Sequence, residues 1–177
     1  MILESQKLRL RALEPEDLDI LYKWENDTTL WRHGNSLTPY SKFTLRQYIN
    51  DSREQDIYQS KQLRLMIGEK ESNATAGTID LYDFDVYNLR AGIGILVAEE
   101  YRQKKYASDS LEIIKRYAFG FLHLKQLYAY ISVDNAISVR LFEKLGFEKS
   151  GVLRNWVCVD NAYQDVYVYQ LMNPENE

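Results

Sequence analysis

Apolar residues recur along the chain in two rhythms, every second position or every third and fourth, and the switches between them predict the elements. Residues 7–11 (KLRLR) alternate, so Leu8 and Leu10 share one face of a strand. Pro15, Glu16 and Asp17 then open a helix. Proline suits a first helical turn, and acids there complement the macrodipole. Leu18, Leu21 and Tyr22 are expected to form its buried stripe. Residues 26–39 read as irregular and unusually aromatic, with Trp31, His33 and Gly34. A second helix over 41–51 turns Leu45, Tyr48 and Ile49 inward.

Strand patterns follow over 62–67, 74–82 and 89–97, separated by polar turns at 69–73 and 83–88. A helix is predicted over 107–122. Its apolar positions Ala107, Leu111, Ile114, Ala118 and Phe121 advance in alternating steps of four and three. Asp109 and Glu112 sit near its start, with Lys115 and Arg116 further on. Residues 127–133 alternate as a strand. Asp134 or Asn135 caps a helix over 136–145, and Gly146 stops it. Residues 163–171 form a last strand, with room for one more beside it. The order β-α-α-β-β-β-α-β-α-β predicts a mixed α/β fold. Its first half is mostly antiparallel, and a strand-helix-strand unit lies in the middle. Repeats and a Pro/Gly-rich divider are both lacking, so residues 1–177 read as one domain with its core at about 7–171.

Composition narrows the function. The apolar share of 45% supports a packed core and opposes intrinsic disorder. A net charge of −4 opposes general nucleic-acid binding, which needs a basic surface. Cys158 stands alone, so no intramolecular disulfide forms, and His33 and His123 have no ligand spacing, so no metal is expected. Charges come early at the N-terminus, and no apolar run approaches the ~20 residues of a membrane span. The expectation is a cytoplasmic protein that does not engage a membrane.

Two segments carry candidate chemistry. In 93–110 (IGILVAEEYRQKKYASDS) a buried strand runs through a short loop into a helix start. Free N–H groups at such a start form an anion site. Arg102, Lys104 and Lys105 add cations, with no acid between Tyr101 and Ser108. Phosphate is the natural ligand, with a solvated basic loop as the alternative. In 133–147 (VDNAISVRLFEKLGF) a strand delivers Asn135 to a helix, with Ser138 one turn on. Asn135 serves there as an N-cap or as a ligand contact.

Together these segments resemble the GNAT superfamily of N-acetyltransferases. Its phosphate loop, Gln/Arg-x-x-Gly-x-Gly/Ala, is matched by Arg102, Gln103, Lys104, Lys105, Tyr106 and Ala107. Its later segment is matched by Asn135, Ser138, Phe142, Gly146 and Phe147. The opening LRLRALEPEDLDILYKW and the ending GVLRNWVCVDNAYQDVYVYQL resemble the branch of ribosomal-protein N-terminal and spermidine/diamine acetyltransferases. The resemblance implies a central twisted, mostly antiparallel sheet, splayed where acetyl-CoA binds and flanked by helices. It implies transfer of acetyl from acetyl-CoA to a primary amine by direct attack in a ternary complex, without metal. It assigns Arg102 to Ser108 to the pyrophosphate. Ile95, Leu96 and Val97 fall to the pantetheine arm, with N–H groups around Leu96 and Val97 facing the thioester carbonyl. Asn135, Ser138 and Phe142 fall to the thiol end.

The chain departs from the family at three places. The loop glycine is Lys105, which either holds the same turn under strain or weakens coenzyme binding. The usual strand carboxylate is Gly92, and the usual tyrosine acid is Phe142. Tyr128, Tyr130, Asp80 and Asp134 are the substitute candidates, and Asn135 and Tyr130 are taken as catalytic. Trp24, Glu25 and Trp31, with Arg32 and His33, are expected on the acceptor side, where Glu25 receives a cationic amine and tryptophan packs along it. The acceptor is a polyamine or diamine, a protein N-terminus or an antibiotic amine, and the acidic charge favours the first. A homodimer is implied by the resemblance alone. Two other readings stay open: a non-catalytic acyl-CoA-binding sensor with a degenerate site, and a nucleotide-binding α/β protein using the same loop.

Overall fold

The computed structural model describes residues 2–31 and 38–174. The alternating segment at the N-terminus forms β1 (Leu8–Arg11), which pairs antiparallel with β2 (Leu63–Glu69). β2 pairs with β3 (Thr75–Asp85), and β3 with β4 (Arg90–Val97), all antiparallel. The chain then crosses through helix α5 (Tyr106–Gly120) to β5 (Gln126–Ser132), which runs parallel to β4. Helix α6 (Ala136–Lys144) leads to a long hairpin, β6 (Glu148–Val159) and β7 (Ala162–Met172). β7 inserts beside β5, giving the sheet order β1-β2-β3-β4-β5-β7-β6.

Before β2 come helices α1 (Leu18–Glu25), α2 (Thr28–Trp31), α3 (Lys42–Glu54) and α4 (Ile57–Ser60). The turn at 15–17 is 3₁₀ and runs directly into α1. Asp17 is buried there, clamped by both terminal nitrogens of Arg11 at 2.7 and 2.8 Å, and accepts from the Glu14 N–H. Ser41 caps α3 through the Thr44 N–H, as a helix start near 41 requires.

Successive strand residues face opposite sides of the sheet, and each side has its own core. On one side α5 and α6 cover Leu65, Ile67, Ile79, Leu81, Ile93 and Leu127. On the other, α1 and α3 bring Leu21, Trp24, Leu45 and Ile49 onto Met66.

Several sequence expectations need correction. The irregular stretch contains α2, and α4 lies in a segment assigned no element. β3 continues to Asp85, so the following turn is shorter than 83–88. Tyr22 is exposed, and Trp24 takes its place in the stripe with Leu21, three residues apart on one face. Phe121 is 61% exposed because α5 stops at Gly120, and its ring stacks on Tyr117 instead. No helix among the described residues is long and apolar enough to cross a membrane.

Candidate active site

β4 and β5 pair at only three positions, Arg90↔Gln126, Ala91↔Leu127 and Gly92↔Tyr128, and then part. β5 stays paired to β7 along its whole length, so the opening belongs to the β4 edge. The Ala98 N–H donates to the Ala76 carbonyl at 2.9 Å, and the β3–β4 register is continuous from there to Gly92. Only alternate pairs of an antiparallel ladder exchange hydrogen bonds. The N–H and C=O groups of Ile95 and Val97 therefore point away from β3, into the splay, whereas those of Leu96 are used by β3. The Arg102 Nε reaches the Val97 carbonyl at 3.3 Å, as this orientation requires. Such an unpaired edge takes up extended amides.

The splay ends at the start of α5. No side chain caps that helix, whose first backbone bond runs from the Asp109 N–H to the Lys105 carbonyl. The preceding amides are directed at solvent, where the helix dipole favours an anion. Arg102, Lys104 and Lys105 are exposed around them. Lys104 lies over the Tyr101 ring at 5.0 Å. Lys105 has φ 67° and Gln103 φ 63°, so non-glycine residues hold the left-handed turn. The Ser108 hydroxyl donates to the Lys105 carbonyl. Tyr106 turns inward, and its hydroxyl donates to Glu69 at the end of β2. That carboxylate pushes the Tyr106 phenol up to about 12. Tyr106 therefore offers the loop only its backbone.

Asn135 is the N-cap of α6, accepting from the Ser138 N–H at 3.1 Å. Phe142 is buried edge-on against Phe147, with centroids 4.9 Å apart. Tyr130 is exposed beside Tyr128, with centroids 5.5 Å apart. Asp134 is exposed on the loop before α6.

On the sheet face covered by α1 and α3, an ion network joins three elements. Arg64 on β2 holds Asp80 on β3 in a fork, Nε–Oδ1 2.7 Å and Nη2–Oδ2 3.1 Å. Its remaining nitrogen meets Glu25, the last residue of α1, at 2.5 Å. The Tyr48 ring lies 5.6 Å from the guanidinium. Burial lowers the Arg64 pKa, but Asp80, Tyr48 and Glu25 together raise it by more, so the guanidinium stays charged. Trp31 closes the end of α1, donating to the Glu25 carbonyl at 2.8 Å. Trp24 is buried and serves packing. Arg32 and His33 lie outside the described residues.

Position 92 has no room for a side chain. A Cβ there would lie 2.2 Å from Cε2 and 2.4 Å from Cζ of Tyr82. Sequence reasoning missed Arg64, Tyr48 and Tyr82. Only the register, which sets Arg64 opposite Asp80 and Tyr82 opposite Gly92, brings them to the site.

Comparison with known proteins agrees with this geometry. An acetyltransferase (GNAT) domain model matches residues 7–148. The Bacillus subtilis SPbeta prophage-derived uncharacterized N-acetyltransferase YokL is 30% identical, over 98% of this chain and 94% of its own. The spermidine N(1)-acetyltransferase of Escherichia coli K12 is 26% identical over 91% of this chain and 83% of its own. The crystal structure of Vibrio cholerae spermidine N-acetyltransferase with CoA and spermine superposes at TM-score 0.85 and 25% identity, covering 96% of this chain and 97% of that one.

Proposed function

The chain belongs to the acetyltransferase (GNAT) family and is an acetyl-CoA-dependent N-acetyltransferase, and from that premise we propose that it acetylates a primary amine of the polyamine or diamine class by direct attack in a ternary complex. The observation that carries this reading is the splay itself. An edge of unpaired β4 peptide groups leads to the uncapped start of α5. A ligand with an amide-bearing arm and a phosphate end matches both in sequence. Residues 1–177 act as one domain in this reading.

The roles follow from position. The α5 start and the 102–108 loop receive the pyrophosphate, chiefly through backbone N–H. Ile95 and Val97 hold the pantetheine arm, and the free N–H of one of them faces the thioester carbonyl. This moves the donor off Leu96, whose N–H belongs to β3. Asn135 shapes the thiol end by fixing the start of α6. The acceptor arrives from the opposite sheet face. There Tyr48, Tyr82, Tyr128 and Tyr130 give a cation aromatic walls beside the carboxylates of Glu25 and Asp80. The names of the spermidine-acetylating relatives support the polyamine class.

An alkyl ammonium near pKa ~10.4 must first lose a proton, at about 4–5 kcal/mol at pH 7. That proton leaves to water. The neutral nitrogen attacks the carbonyl carbon, the C–N bond forms and the C–S bond breaks. The second nitrogen proton ends on the thiolate. A thiol leaving group of pKa ~8.5 needs little acid help. Phe142 is therefore compatible with turnover, and alignment supplies much of the rate.

Calorimetric titration with acetyl-CoA, beside thiol release on spermidine, diamines and peptide N-termini, tests the proposal. Binding with release on spermidine is the expected result. Binding without release on any amine turns the reading to an acyl-CoA sensor, and no binding overturns the function altogether.

A further inference from the structure

Strand β4 carries two glycines, Gly92 and Gly94, on the face that looks toward α1 and α3. They sit where β4 and β5 part, and together they form a floor without side chains. Tyr82, from β3, lies across it. Its ring fills the Cβ space of Gly92, and its Cε1 comes within 3.8 Å of the Cβ position of Gly94. The hydroxyl end reaches the backbone of Tyr130, two residues beyond the last β4–β5 pair. Tyr128 meets the Tyr82 ring edge-on, with centroids 6.1 Å apart, and Tyr130 continues the wall. Asp80, two residues before Tyr82 and therefore on the same face, is held by Arg64 and cannot swing into the splay.

We propose that Tyr82 is the residue that meets and aligns the acceptor nitrogen at the mouth of the splay. This rests on the acetyltransferase reading above and deepens it. A nitrogen arriving from the α1–α3 face to reach a carbonyl held on the β4 edge must cross the Gly92–Gly94 floor. On that floor Tyr82 supplies the polar atom. Its phenol oxygen accepts an N–H of the neutral amine and leaves the nitrogen lone pair directed at the carbonyl carbon. Burial, reinforced by Tyr128, Tyr130 and Asp83, holds the phenol protonated. It is thus an aligning group and not a base, and the proton lost before attack leaves through water.

Three variants test this: Tyr82→Phe, Gly92→Ala and the two combined. Tyr82→Phe keeps the ring and removes only the hydroxyl. Its kcat/KM for spermidine is expected to fall about tenfold, with acetyl-CoA affinity unchanged and the thermal midpoint lower by only about 2–4 °C for the lost bond to Tyr130. Gly92→Ala drives the ring off the floor and lowers kcat/KM at least as far. The double variant is expected to be no worse than Gly92→Ala, because a displaced hydroxyl has nothing left to lose. Wild-type kinetics in Tyr82→Phe, or additive losses in the double variant, overturn the inference. A wild-type protein that turns over no amine overturns the acetyltransferase reading instead. Tyr82 is then read by calorimetry of spermidine into the coenzyme A-loaded protein. About tenfold weaker binding in Tyr82→Phe supports its role. Equal binding, or none even in the wild type, overturns it.

Discussion

Lys105 keeps a left-handed turn at the start of α5 with a residue that has a Cβ. That conformation costs a non-glycine residue about 1–2 kcal/mol, and glycine gives back about 0.5–1 kcal/mol through its freer unfolded chain. Lys105→Gly is therefore expected to stabilise the fold by about 0.5–1 kcal/mol, seen as a rise of about 1–4 °C in thermal midpoint. Acetyl-CoA affinity, read by calorimetry, should change by less than about tenfold, because Lys105 is exposed and its ammonium is screened. Arg64 is the opposite case. Its side chain is 18% exposed and serves two carboxylates. Arg64→Ala removes the fork that holds Asp80 and the Arg64 contact of Glu25, and should cost about 3–5 kcal/mol in urea unfolding. Removing Asp80 as well should recover part of that loss.

At the scale of elements, the β3–β4 contact decides where the unpaired β4 edge lies. A Cβ on Gly77 would fall 2.0 Å from the Leu96 carbonyl oxygen, a backbone atom that cannot rotate aside. Gly77→Ala must therefore push β4 away from β3. A loss of about 3 kcal/mol in urea unfolding is expected, together with weaker acetyl-CoA binding, since the free Ile95 and Val97 groups move. Gly151 on β6 provides the control. Nothing lies within 4 Å of its Cβ position, and Gly151→Ala should stay within about 0.5 kcal/mol of wild type. The starts of the four longer helices, the turn glycine at 146 and most strands were legible in the sequence, because caps and alternation are local. The parting of β4 and β5 after Gly92 was not legible in that way. It depends on which strand β5 meets, and the chain reveals that only once β7 has inserted beside it.

At the scale of the whole molecule, several tyrosines make the fold sensitive to alkali. Burial pushes Tyr128 up to about 12. Burial together with Glu143 does the same for Tyr169, and the Glu69 hydrogen bond does it for Tyr106. Each pKa is higher folded than unfolded, near 10. Above pH ~10 the unfolded chain has fewer protons bound than the folded one, so stability falls as pH rises. It is fully present below pH ~10 and lost between about 10 and 12. Urea midpoints should be flat from pH 8 to pH 10 as far as these groups are concerned, and then decline. Tyrosinate absorbance should appear late for the folded protein. Ligand linkage gives a second global readout. Acetyl-CoA at 100 times its Kd should raise stability by about 2.7 kcal/mol, and an unmoved thermal midpoint would count against binding.

Local chemistry determined the elements, the uncapped start of α5 and the family's ordered motif, because each depends on residues a few positions apart. The same locality explains the errors. Tyr22 and Phe121 fit a helical stripe in sequence, and only packing showed which face was covered and where α5 ended. Asn135 was recognised as a cap or a contact, and its bond to Ser138 makes it a cap. The ion network on the α1–α3 face was decided by tertiary structure. Glu25, Arg64 and Asp80 are far apart in the chain, and their charges compensate only because helix α1 docks over the β2–β3 pair. Gly92 read as a missing carboxylate in the sequence, but in the fold it is the space that Tyr82 fills.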